Sequence, residues 1–162
     1  GLNIDQPGYY IKLMNIDGSL NYSVFRFLLT ELFLLLIIAL ATAIFLSMRK
    51  ASSKSVAIWD ATAKRLVINF AVPLLTGALF CVILLNHSYL KLIIPSTILF
   101  YGLAIYNASK YTLHDIRSLG IIEILLGLAA AYYVEYALLF WGIGFGVLHI
   151  VYGLYIYFKY EK

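Results

Sequence analysis

Between positions 24 and 158 the chain is built from long apolar runs interrupted only briefly, and this feature restricts the fold more than any other. A helix needs about 20 consecutive apolar residues to cross the hydrocarbon of a bilayer. Five runs approach or exceed that length: Val24–Ser47, Leu66–Asn86, Leu90–Tyr106, Leu119–Val134 and Ala137–Phe158. The third and fourth are short, and cross only by drawing in flanking residues or thinning the membrane around them. The runs are continuous rather than alternating, which specifies helices, since each segment must pair its own backbone polar groups in lipid.

Composition closes off the alternatives. Of the 162 residues 63% are hydrophobic and 12% charged, whereas a soluble domain carries about 45–50% and 25%. Such a chain cannot both hide its apolar surface and present a charged exterior to water. We therefore expect an all-α, polytopic transmembrane helical bundle forming a single domain over residues 1–162, with lipid as its main partner. The lone Cys81 lies within an apolar run, so neither an intramolecular disulfide nor a cysteine-built metal site is expected. The net charge of +4 points to lipid head groups rather than nucleic acid, because the basic residues cluster in short loops beside hydrophobic segments.

Basic loops stay cytoplasmic, and nine of the twelve lysines and arginines fall on one side of the five-span arrangement. Arg49, Lys50, Lys54, Lys64 and Arg65 occupy the first connection, Lys110 and Arg117 the third, and Lys159 and Lys162 the tail. Lys12, Arg26 and Lys91 fall on the other side. The N-terminus is thus expected outside and the C-terminus in the cytoplasm. Tyrosines at both sets of span ends, Tyr89 and Tyr132 outside and Tyr106 and Tyr155 inside among them, supply the aromatic belts.

In the first connection Val56, Trp59, Ala63 and Leu66 recur at helical spacing, with Lys54, Asp60, Lys64 and Arg65 largely off that stripe. Residues 51–65 are therefore expected to lie as an interfacial amphipathic helix running into the second span, its basic residues on anionic head groups. A plain solvated basic loop is the alternative. No basic start followed by an apolar stretch and a small-residue cleavage site occurs in residues 1–23, and Gly1 replaces a start methionine; a trimmed or partial chain is expected.

Ionisable groups inside spans point most directly to function, since insertion scales charge about 2.5–3.5 kcal/mol for one at mid-helix. Glu31, Glu123 and His149 qualify. Glu31 lies near Arg26 and can pair with it or reach the interface. The other two fall in matching strings, GIIEILLGL at 120–128 and GVLHIVYGL at 146–154. Gly120 and Gly127 share a helix face with Glu123, and Gly146 and Gly153 with His149. Gly142 extends the second stripe as GxxxG, so both faces are expected to be helix contacts.

By the 1.5 Å rise, Glu123 and His149 would sit about 6 and 13 Å from the inner ends of their spans. The offset of about 7 Å calls for tilt or a bridging water. Asn69 offers Glu123 another partner, because Pro73 cannot donate to the carbonyl four residues earlier. A carboxyl buried without a cation is costly when charged, so a neutral Glu123 donating to a carbonyl is expected. Asn69, Glu123 and His149 thus form the candidate intramembrane polar site, serving either as hydrogen-bonded glue or as a proton or solute site. Neither metal nor cofactor is expected: His149 has no second axial histidine in its own chain at its depth, and no nucleophile–base pair or phosphate loop occurs.

The strings WDATAKRL at 59–66, LFYGLA at 99–104, NASKYT at 107–112 and GFGVLHIVYG at 144–153 resemble a family of small polytopic inner-membrane proteins from Bacteroidetes. The resemblance spans roughly residues 24–162. It implies a further N-terminal span, six in all, with both termini cytoplasmic; it brings no activity, ligand or catalytic residue. Two functions remain. The first is a non-enzymatic interaction or regulatory subunit whose glycine stripes pack helices within the chain or between copies. The alternative is a small proton-linked transporter or channel using Glu123, Asn69 and His149.

Overall fold

In the computed structural model the described residues are 61–112 and 115–160, together with Asn21, Ser23, Arg26, Thr30, Leu34 and Asp60. Every regular element among them is helical. Helix α1 is Ala61–Asn86, α2 is Ile93–Ala108 and α3 is Ile116–Tyr132. A last rod comprises α4, Ala137–Gly142, a π-helical segment, Ile143–Leu148, and α5, His149–Tyr160. Short 3₁₀ turns at Leu90–Leu92, Ser109–Tyr111 and Val134–Tyr136 extend the ends of these rods. Among the described residues three segments are long and apolar enough to cross a membrane: Ala61–Asn86, Leu90–Tyr111 and Val134–Lys159.

The chain divides into two units, residues 1–60 and 61–162, and nearly all described residues belong to the second. Most of the first expected span, Glu31 included, and positions 51–59 of the interfacial helix lie outside the described residues. Positions 61–65 are part of α1 itself, so the chain enters that span without a break.

α1 ends where Ser88 takes a left-handed conformation, φ 61°. The Tyr89 amide donates to the Leu84 carbonyl and the Ser88 amide to that of Leu85. This paired closure satisfies the last carbonyls of the helix and turns the chain directly into α2. Pro73 sits in mid-helix, where it removes one amide. Pro95 falls in the first turn of α2, where the missing amide has no partner to lose.

The centre of the unit is the α2–α3 contact. A methyl group on Gly102 would come within 2.7 Å of the Ile124 amide nitrogen; on Gly120, within 2.7 Å of that of Tyr106; and on Gly127, within 2.7 Å of that of Leu99. These glycines bring the two helices together backbone to backbone, as small residues do where lipid supplies no hydrophobic drive between helices. Ile98, Ala130 and Ala137 are fully buried nearby, with Ile94, Leu126, Phe140 and Phe145 packed around them. α3 has only 17 residues, about 25 Å at the helical rise, and is the rod that falls short of the hydrocarbon thickness.

Large apolar side chains point away from this centre. Leu79 of α1 is 68% exposed, Leu125 of α3 61% and Ile150 of α5 66%. At one end of the bundle Arg117 donates to the Tyr106 hydroxyl at 2.9 Å, and Lys159 pairs with Asp115 at 2.8 Å. The Tyr152 hydroxyl joins them, bonding Ser118 and the Asp115 carbonyl. These polar residues therefore share the end formed by the C-termini of α2 and α5 and the N-terminus of α3.

Candidate intramembrane polar site

α3 carries Glu123 on the face that its glycines press against α2, so the side chain is enclosed as soon as the two helices close. Its side chain is 0% exposed, and neither carboxyl oxygen has a hydrogen-bond partner among the described residues. The last rod covers it with Gly144, where an added methyl group would stand 2.7 Å from Oε2. A side chain at position 144 would have to push the carboxyl out of its present place.

His149 completes the site from the same rod. Its Nδ1 lies 3.7 Å from Glu123 Oε1, with 32% of the side chain exposed. Both ring nitrogens are engaged. Nδ1 is 2.8 Å from the Gly144 carbonyl oxygen, which can only accept, so Nδ1 carries a proton. Nε2 is 2.7 Å from the Tyr101 hydroxyl on α2, which donates to it when the imidazole is neutral and accepts from it when the ring is charged.

Tyr101 is itself held by rings, edge-on to Phe70 of α1 at 6.3 Å and tilted against Phe145 at 4.7 Å. Phe145 stacks on His149 with the planes 8° apart. Three helices and the π-helical segment thus fix the Tyr101–His149 pair beside the carboxyl.

Two features bring Glu123 and His149 together despite the offset their spans suggest. α3 starts at Ile116 rather than Leu119, placing Glu123 deeper. Measured from the Asp115–Lys159 ion pair, the two residues lie about 12 and 15 Å along their helices. The π-helical segment then turns the rod so that residues five apart share a face, and Gly144 and His149 both meet Glu123. That shift also decides the glycines: Gly144 takes the contact, whereas Gly142, Gly146 and Gly153 meet nothing within 4 Å among the described residues.

Asn69 stands apart from this group. Its side chain turns back on its own helix and donates to the Arg65 carbonyl at 2.8 Å. The carbonyl freed by Pro73 accepts from Asn107 Nδ2 of α2 at 3.0 Å, not from Glu123. The bond to a freed carbonyl forms, with a different donor.

Tyr101, Asn107 and Gly144 are the residues that the sequence patterns miss. A tyrosine in mid-span rather than at a belt is the one signal by which Tyr101 could have been found. No group of three metal-ligating side chains gathers among the described residues. No protein-family model, curated protein or solved structure matches the chain.

Glue is a poor account of Glu123. Hydrogen bonds between membrane helices contribute about 0.6 kcal/mol on average, and this carboxyl makes none among the described residues. A buried polar group left unbonded costs about 1–3 kcal/mol by mutational data. Packing alone would be served better by an apolar residue of the same size.

Proposed function

We propose that the chain is an integral protein of a bacterial inner membrane, crossing it five times with the N-terminus outside and the C-terminus in the cytoplasm. The apolar helices support the membrane placement, and the loop charges support the orientation. A resemblance to small Bacteroidetes membrane proteins agrees with the membrane placement and with a cytoplasmic C-terminus. Within the membrane it acts without enzymatic chemistry, as an interaction or regulatory subunit that docks another helix. The observation behind this reading is the line of Gly142, Gly146 and Gly153 on the last rod, which meet nothing within 4 Å among the described residues while the other described glycines are packed. A line of glycines lets a second backbone approach closely, and the occupant is a second copy or a membrane protein partner. Arg49, Lys50, Lys54, Lys64 and Arg65 hold anionic head groups at the cytoplasmic face.

With Cys81 replaced by alanine, a cysteine at Gly146 should cross-link on oxidation in native membranes, and G142L should reduce the yield severalfold. Monomers alone, with nothing co-purifying, would remove this function.

A second reading is favoured by a separate observation, the part-exposed His149 imidazole 3.7 Å from a Glu123 carboxyl that has no hydrogen bond among the described residues. In it the bundle is a small proton-linked transporter or channel whose polar site is Glu123 and His149. Asn69 is not part of that site.

A further inference from the structure

We propose that Glu123 is a proton-binding site loaded through His149, with the Tyr101 hydroxyl as the group that senses loading. This rests on the second reading only in taking Glu123 and His149 as a working pair. It adds the path, the direction of transfer and a residue on another helix.

Two titratable groups line up with the Glu123 carboxyl: His149 from the last rod, with Nδ1 3.7 Å from Oε1, and Tyr101 from α2, whose hydroxyl is 2.7 Å from His149 Nε2. His149 is part-exposed where Glu123 is sealed, 32% against 0%, and its Nδ1 is 3.7 Å from the carboxyl, so the path for a proton bound for Glu123 runs through the imidazole. Its starting tautomer is fixed by the Gly144 carbonyl, which holds the proton on Nδ1 and leaves Nε2 as the acceptor.

Loading is a balanced transfer. A proton arrives at Nε2 and makes the imidazolium; the Nδ1 proton then passes to Glu123 Oε1. What remains is a neutral carboxyl and a neutral imidazole with its proton on Nε2. Nothing is oxidised, and the one proton gained now sits on Glu123. The new Oε1–H donates to Nδ1, and Nε2–H donates to the Tyr101 oxygen, which turns from donor to acceptor.

The 3.7 Å separation of Nδ1 and Oε1 is about 1 Å longer than such a bond. Closing it requires only that the ring swing away from the Gly144 carbonyl. The π-helical segment makes that exchange available, because it sets the Gly144 carbonyl and His149 five residues apart on one face. The sealed carboxyl, otherwise an unbonded group, gains its partner when loaded. Tyr101, released from donating to Nε2, transmits the change to α2.

The test is infrared difference spectroscopy on the full chain in lipid nanodiscs, comparing alkaline with acidic buffer. The wild type should gain a protonated-carboxyl stretch that E123Q lacks. In H149F the transfer of that band from hydrogen to deuterium after mixing with heavy water should slow at least tenfold. Y101F, which keeps the ring packing, should move the pH midpoint of the band. A purely structural tyrosine would leave it in place.

A band insensitive to pH, or exchange in H149F as fast as in the wild type, would overturn the proposal. Proton flux in reconstituted vesicles is a separate readout. Its absence would remove transport while leaving the loaded carboxyl intact, so the two failures are distinguishable.

Discussion

Proline at position 73 takes one amide out of α1, and the consequence is local and measurable. The Asn69 carbonyl it frees is held by Asn107 Nδ2 from α2, so one helix's defect becomes a bond between two helices. Asn107→Leu should destabilise the protein by about 1 kcal/mol by leaving that carbonyl unpaired. In a Pro73→Ala background the alanine amide can bond Asn69 instead, and the cost of Asn107→Leu should fall close to zero. Denaturant titration of the four proteins in detergent gives the double-mutant cycle. Equal costs in both backgrounds would show that the bond is not what holds Asn107 in place. The freed carbonyl is legible from the proline alone, since a ring without an amide has only one possible consequence four residues earlier. Its donor is not, because several polar side chains lie at compatible depths and only the packing of α1 on α2 selects Asn107.

At the scale of elements, the glycines divide into those that set helix spacing and those that do not. Gly127→Ala would place a methyl group 2.7 Å from the Leu99 amide nitrogen and 2.8 Å from its Cα, where neither atom can move without its helix. Alanine favours the helical state by up to about 1 kcal/mol over glycine, but forcing two backbones apart costs about 1–3 kcal/mol. A net loss of stability is expected for Gly127→Ala. Gly153→Ala, which meets nothing within 4 Å among the described residues, should be neutral or stabilising in the monomer. Thermal unfolding in detergent compares the two, and a stabilising Gly127→Ala would contradict the close α2–α3 approach.

How much of this was legible follows from what a helical period can encode. The Gly120–Glu123–Gly127 face was readable because α3 is a regular helix and residues three and four apart stay together. The matching face on the last rod was not, because the π-helical turn at Ile143–Leu148 exchanges Gly146 for Gly144. The start of α3 was also misplaced. Arg117 and Ser118 look like loop residues, yet Arg117 belongs to the helix and reaches Tyr106 at the end of α2. The Glu123–His149 pairing was suggested by the matching strings, while the third member, Tyr101, was hidden among fourteen tyrosines.

For the molecule as a whole, what governs the arrangement is which surface meets which solvent. α2 and the glycine face of α3 are enclosed, while α1, the other face of α3 and the last rod turn large aliphatic side chains outward. In water such a surface would drive aggregation; in a bilayer it is the ordinary exterior. The polar groups follow the complementary rule, gathering either at the end marked by Arg117, Asp115 and Lys159 or around the sealed Glu123. A regulatory bundle and a proton-linked one both need that arrangement, and both fail without it.

Spin labels placed singly at Leu79 and Ile150, in Cys81-free protein reconstituted into vesicles, test this most directly. Oxygen, which partitions into acyl chains, should relax both labels strongly, and a water-soluble nickel chelate should scarcely reach them. Labels relaxed by the chelate in preference to oxygen would place these faces in water and contradict the account.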